Sequence, residues 1–145
     1  MPIVLTEIEN GIGVALTCSG IVTGQEMIEA NMVLLSMGTR VRDWRFCVVD
    51  HTAVQSVDYS PEDVQITADL DHAIALNTRK GMLVAIVAPS DVQFGFAQMW
   101  RDLARRTGWE TMVVRTREQA EEWIRTKSAI DIRLSNTRSA IPRYN

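Results

Sequence analysis

The stretch Met82-Leu83-Val84-Ala85-Ile86-Val87-Ala88 is apolar at every position. A half-exposed strand alternates apolar and polar residues. An unbroken short run marks a strand covered on both faces, the usual state of a parallel strand between layers of helices. Its flanks agree. Upstream, Ser60-Pro61-Glu62-Asp63 opens a helix with Ser60 as N-cap and Pro61 in the first turn. The inner face of that helix is read as Ile66, Leu70, Ala73 and Ile74. Downstream, Ser90 or Asp91 caps a second helix with an apolar stripe of Val92, Phe96, Met99 and Leu103, ending at Gly108.

The pattern extends both ways. Trp109 to Val114 reads as a last core strand, and Thr116 with Gln119 forms a capping box for a helix that buries Ala120, Trp123 and Ile124. Toward the N-terminus, Phe46 to Val49 is a short strand ending in Asp50. Before it, Thr23 and Glu26 make another capping box, followed by Met27, Ala30, Leu34 and Met37 at helical spacing and Gly38 as a stop. Ile3 to Ile8 and Ile12 to Cys18 read as strands joined at Asn10-Gly11, a pair that suits a tight type I′ turn. The order β-β-α-β-α-β-α-β-α gives an α/β fold: a mixed sheet with an N-terminal antiparallel hairpin, parallel strands, and helices packed on it. Residues 1–127 are read as one domain and 128–145 as a basic tail. Ile130, Ile132 and Leu134 alternate as a short extra strand would, and Ser135 to Asn145 reads as a flexible end.

Composition restricts the function classes. Among 145 residues, 46% are hydrophobic and 23% charged, ordinary values for a globular domain. No apolar run approaches the roughly 20 residues of a membrane span. Met1 to Leu5 has no basic stretch ahead of its apolar residues, so no secretory signal is expected and the expected location is cytoplasmic. Cys18 and Cys47 sit in strand-like runs and read as small core hydrophobes. The net charge of −3 argues against a nucleic-acid binder. Charge is uneven: Arg125, Lys127, Arg133, Arg138 and Arg143 against Asp131 put the C-terminal end at +4 and the rest at −7.

Chemistry-bearing motifs are absent. His51 and His72 lie in no metal-ligand spacing. His72, beside Asp69 and Asp71, reads as part of a solvated helix face; His51, following Asp50, reads as a loop residue at the carboxyl edge of the sheet, where ligands of open α/β folds gather. Asp50 ends a strand as a phospho-accepting aspartate would, but the partner acids and lysine of that chemistry are missing. No phosphate-binding loop or nucleophile elbow occurs. No catalytic residue, metal or cofactor is therefore expected. The four tryptophans and Met27, Met32, Met37, Met82, Met99 and Met112 read as core, with an apolar cavity lined by these Trp and Met residues, Met99 among them, as the alternative.

Three segments carry a resemblance: Val84-Ala85-Ile86-Val87-Ala88-Pro89, Phe94-Gly95-Phe96-Ala97-Gln98-Met99-Trp100, and Glu118-Gln119-Ala120-Glu121-Glu122-Trp123-Ile124. Together they resemble the SpoIIAA-like family of small bacterial STAS/SEC14-type domains, the specific motifs lying in the C-terminal third. Asp58-Tyr59-Ser60-Pro61 falls where related anti-sigma-factor antagonists carry D-S-S-G, so the resemblance implies Ser60 as a phosphorylation position, with Asp58 beside it. Tyr59 and Pro61 depart from that motif. The resemblance implies first a non-enzymatic bacterial regulatory or protein-interaction module, read as a homodimer. Its SEC14-type side implies a binder of a small apolar or lipid-like ligand. Candidate regulatory or ligand-site residues are Asp58, Ser60, His51 and Met99.

Overall fold

The strand at the heart of the sequence pattern spans Leu83–Val87 (β4), and all five of its residues are buried. Residues 2–134 of the chain are described by the structure, a computed structural model. Around β4 run β1 (Ile3–Ile8), β2 (Gly13–Thr23), β3 (Phe46–Asp58) and β5 (Glu110–Val114), with helices α1 (Gly24–Ser36), α2 (Pro61–Ala75), α3 (Asp91–Leu103) and α4 (Arg117–Ser128). The sheet order is β1-β2-β3-β4-β5. β1 is antiparallel to β2, and the other pairings are parallel.

That order places the helices. Each step from β2 to β5 moves one strand in the same direction, and right-handed crossovers then put α1, α2 and α3 on one face. α4 follows β5, crosses to no further strand among the described residues, and covers the opposite face. Alternation along the strands serves both layers. Val14, Leu16, Cys18, Cys47, Val84 and Ile86 belong to the core under α1–α3. Phe46, Val48, Leu83, Ala85 and Val87 form a second core with Ala120 and Ile124 of α4. At about 1.5–3 kcal/mol for each fully buried large aliphatic side chain, both cores hold the sheet.

All four helices begin at a capping box: Thr23 with Glu26, Ser60 with Asp63, Ser90 with Gln93, and Thr116 with Gln119. Two glycines are required by close approach. A Cβ on Gly13 would lie 2.2 Å from the Phe46 ring, and one on Gly24 would lie 1.9 Å from the Asp63 carboxylate.

Several expectations are corrected. The first hairpin is joined not by a two-residue turn but by Glu9 to Ile12, between the paired Ile8 and Gly13. Glu9, Asn10 and Gly11 all adopt positive φ there, at 51°, 57° and 86°. β2 runs on to Thr23, and β3 continues past Asp50 to Asp58, so β2 and β3 pair well beyond the end of β4. The buried face of α1 includes Ile28 and Asn31 beside Leu34, with Met27 and Ala30 partly buried. The buried face of α2 is Val64, Thr67, Ala68, Asp71 and Ile74, while Ile66 is exposed. In α3, Gln93, Ala97 and Trp100 are buried, while Val92 and Met99 are exposed. Ile130 to Leu134 forms no strand: Ile132 and Leu134 are fully buried in the second core, and Leu134 N donates to Glu121 Oε2 at 3.0 Å. The flexible end read from Ser135 onward lies outside the described residues.

Candidate functional site: a lined cavity under three helices

Between the sheet and α1–α3 lies a cavity of about 100 Å³. That is several times the roughly 10–15 Å³ a single water requires. Leu16, Val84 and Ile86 form its floor on the sheet, and Leu34, Val64 and Phe96 contribute from the helices. Gly24, Asp63 and Gln93, from the first turns of α1, α2 and α3, line it where those helices leave the carboxyl ends of the strands. Trp44, Trp100 and Trp109 also face it.

A polar cluster sits in this apolar wall. Asp71 of α2 is buried, and both of its carboxylate oxygens accept a hydrogen bond. Asn31 Nδ2 of α1 donates to Oδ1 at 3.0 Å, and Trp100 Nε1 of α3 donates to Oδ2 at 2.7 Å. Asn31 also donates to the Thr67 carbonyl at 3.3 Å. The cluster joins all three helices through one acid. Burial pushes the Asp71 carboxyl up from 3.8 to about 7, although the Trp100 and Asn31 donors pull the other way. Losing water costs the anion more than two donors restore.

Nearer the strand ends, His51 Nε2 and the Tyr59 hydroxyl are 3.1 Å apart, and the Tyr59 ring meets Phe96 edge-on with centroids 5.6 Å apart. Burial lowers the His51 pKa, partly opposed by the Val87 backbone and by Asp50. Nδ1 of His51 nevertheless makes no hydrogen bond of ordinary geometry among the described residues. Tyr59 is raised by burial and stays a neutral phenol. Burial likewise pushes the Cys18 thiol up to about 12 and raises Cys47. Both thiols are protonated at neutral pH and are poor nucleophiles.

The residues singled out in the sequence separate here. His51 lines the cavity, but from a strand rather than a loop. Met99 does not: it lies on the exposed side of α3, and Gln93, Phe96, Ala97 and Trp100 face the cavity instead. Asp58 is the exposed last residue of β3. Ser60 is the N-cap of α2, its hydroxyl accepting from Asp63 N at 3.1 Å while Asp63 Oδ2 accepts from Ser60 N at 3.0 Å. Asp50 faces the other side of the sheet, where Arg117 Nε donates to it at 2.7 Å and Thr52 N at 2.9 Å. His72 is partly buried rather than solvated, and its neighbour Asp71 is inside. Trp100, one of the tryptophans read as possible cavity lining, does line it, whereas Asn31 and Asp71 were not singled out. A signal existed for Asp71: Val64, Ala68 and Ile74 set a helical stripe on which it falls as the one acid.

No group of three His, Cys, Asp or Glu residues among those described is placed to hold a metal ion. No helix of the described residues is long and apolar enough to cross a membrane.

No family model matches this chain, and no curated protein matches it either. Among solved structures, the chain is similar to an uncharacterized protein of the DUF3478 family from Shewanella loihica PV-4, described as having a SpoIIAA-like fold. The superposition covers 83% of this chain and 90% of that one, with a TM-score of 0.52 and 16% sequence identity. The fold is SpoIIAA-like. That agrees with the resemblance drawn from the C-terminal motifs, and at this identity the similarity concerns architecture alone. In the SpoIIAA-like frame, the strand before Pro89 is β4, the helix carrying Gly95 and Trp100 is α3, and the closing helix with Trp123 is α4.

Proposed function

We propose that this chain binds a small, largely apolar molecule in the cavity between the sheet and α1–α3. The observation that carries the reading is Asp71: a buried acid in the wall of an apolar cavity, held at both oxygens by donors from the two flanking helices. A buried carboxyl costs stability that an aliphatic residue of similar size would not, so packing alone gives no reason for it. A few converging polar groups in an otherwise apolar hollow are the ordinary make-up of a small-molecule site.

Native mass spectrometry of the freshly purified protein tests the reading. A small adduct lost on denaturation, and absent from an Ala97→Leu variant with a filled cavity, is the expected result. A bare protein whose tryptophan signals also ignore added benzyl alcohol would overturn it.

The STAS-like interaction module, in a bacterial cytoplasmic setting, is the second reading. It is supported by the SpoIIAA-like fold and by Leu76 and Val92, which stand 79% and 61% exposed. Single exposed apolar residues are common on any surface, so this support is weaker than the cavity. Under this reading the chain is a homodimer that Val92→Asp weakens, measured by light scattering after size exclusion. Removing residues beyond Lys127 would be a poor test, since Ile132 and Leu134 complete the chain's own core.

A further inference from the structure

We propose that the ligand of this cavity is an apolar amine, its ammonium group seated against the Asp71 carboxylate. The inference rests on the cavity reading above and goes further by assigning the charge of the ligand. Three observations support it.

The first is the sign of the lining. Among the described residues no lysine or arginine lines the cavity, whereas two acids, Asp71 and Asp63, do. Burial disfavours the charged form of His51, the histidine among the described lining residues. Asp63 is fixed in the capping box at the start of α2, whereas Asp71 lies buried in the wall of the hollow, and among the described residues neither acid has a cationic partner. An anionic ligand would meet a carboxylate with no counter-charge in a low-dielectric hollow, where like charges are costly.

The second is the state of Asp71. Asn31 from α1 and Trp100 from α3 each donate one hydrogen bond to it, and among the described residues no ion pair reaches it. The groups facing it are those two donors, Thr67 on its own helix, and the Cys47 thiol of β3, whose pKa Asp71 helps to raise. None supplies positive charge. Two N–H donors also orient the oxygens without exhausting their lone pairs, since a carboxylate accepts about four hydrogen bonds. A cation arriving here meets an acceptor already positioned.

The third is the remaining wall. Trp44, Trp100, Trp109, Tyr59 and Phe96 place aromatic rings around the hollow. Aromatic faces attract a buried ammonium while accommodating the apolar body that carries it. A neutral alcohol would gain a hydrogen bond to the Asp71 carboxylate without ion pairing, and an ammonium gains both.

Binding of an ammonium requires the carboxylate, so any proton on Asp71 is released as the ligand enters. Affinity then falls as the pH drops below about 7, where the free protein holds that proton.

Three probes with one ring and three charges test this: benzylamine, benzyl alcohol and benzoate, titrated into the full chain at pH 8. The indole N–H resonance of Trp100, which donates to Asp71, reports occupancy. Benzylamine is expected to bind about tenfold tighter than benzyl alcohol, with no response to benzoate. The advantage of the amine is expected to vanish in Asp71→Asn, and in the wild type to shrink roughly tenfold or more at pH 5. Benzyl alcohol binding as tightly as the amine, or benzoate binding at all, overturns the amine assignment while leaving the cavity as a ligand site. If none of the three moves the Trp100 signal, the cavity reading fails and this inference falls with it. Should Asp71→Asn not fold, the wild-type probe series and its pH dependence decide the question.

Discussion

The indole Nε1 of Trp100 donates to Oδ2 of Asp71 across 2.7 Å, tying α3 to α2 inside the helical layer. The bond favours the ionised acid, so its worth depends on pH. Trp100→Phe keeps a ring in place and removes the donor. Its cost is expected to be about 1.5–3 kcal/mol at pH 8, where Asp71 is largely charged, and about 0.5–1.5 kcal/mol at pH 5, where it is neutral. Urea unfolding at the two pH values measures the difference. Equal costs would show that Asp71 does not titrate between them.

Asp71 itself gives stability a pH slope of unusual sign for an acid. Its folded pKa, about 7, lies above the unfolded value of 3.8. Between those values the folded chain holds a proton that the unfolded chain has lost. Stability from this group is therefore full below about pH 4, declines as pH rises through about 7, and is flat beyond. Asp71→Asn removes that decline. Plotted against pH, the stability difference between wild type and variant is expected to change by a few kcal/mol across this window. Parallel curves would show that burial does not raise Asp71.

Gly24 and Asp63 cannot both keep their places once Gly24 carries a side chain. Gly24→Ala puts a methyl group 1.9 Å from Asp63 Oδ2, which also closes the capping box of α2. Overpacking of this kind costs about 1–3 kcal/mol. In the Gly24→Ala/Asp63→Ala double variant the clash is relieved, so the combined loss is expected to fall short of the sum of the single losses. A thermal-denaturation double-mutant cycle reads this coupling, and strict additivity would exclude it.

Ile132 and Leu134 lie beyond α4 yet are 0% and 1% exposed. Ile132→Ala is expected to cost about 2–5 kcal/mol, the usual range for emptying a core site. Val92→Ala, on the exposed side of α3, is expected to stay within about 0.5 kcal/mol of wild type. Denaturant midpoints of the two variants make the comparison directly.

The sequence was most legible where the signal was local. Thr23 with Glu26 and Thr116 with Gln119 were read as capping boxes, and both bond in that way. The apolar run at Leu83–Val87 and the element order required only periodicity. Reading failed where long-range packing overrode local character. On α2 the polar Thr67 and Asp71 turn inward, so choosing the most apolar face selected Ile66, which is 45% exposed. On α3 the same rule chose Val92 and Met99 over Gln93 and Ala97. β3 appeared to end at Asp50 because its continuation is flanked by β2 alone and half exposed, where polar residues are tolerated. The candidate site suffered most, because Asn31, Asp71 and Trp100 come from three separate helices and only the fold brings them together.

The division of the helices between the two faces of the sheet also orders events during synthesis. The layer over Val14, Leu16 and Ile86 is assembled from helices that precede β5, so it can form while the chain is still growing. The opposite face, with Phe46, Val48 and Ala85, waits for α4 and then for Ile132 and Leu134. Until those residues leave the ribosome, a strip of β-branched and aromatic side chains is open to solvent, the kind of surface on which nascent chains associate. Slowed translation within residues 117–134 is therefore expected to lower the soluble yield more than the same delay placed within residues 24–36.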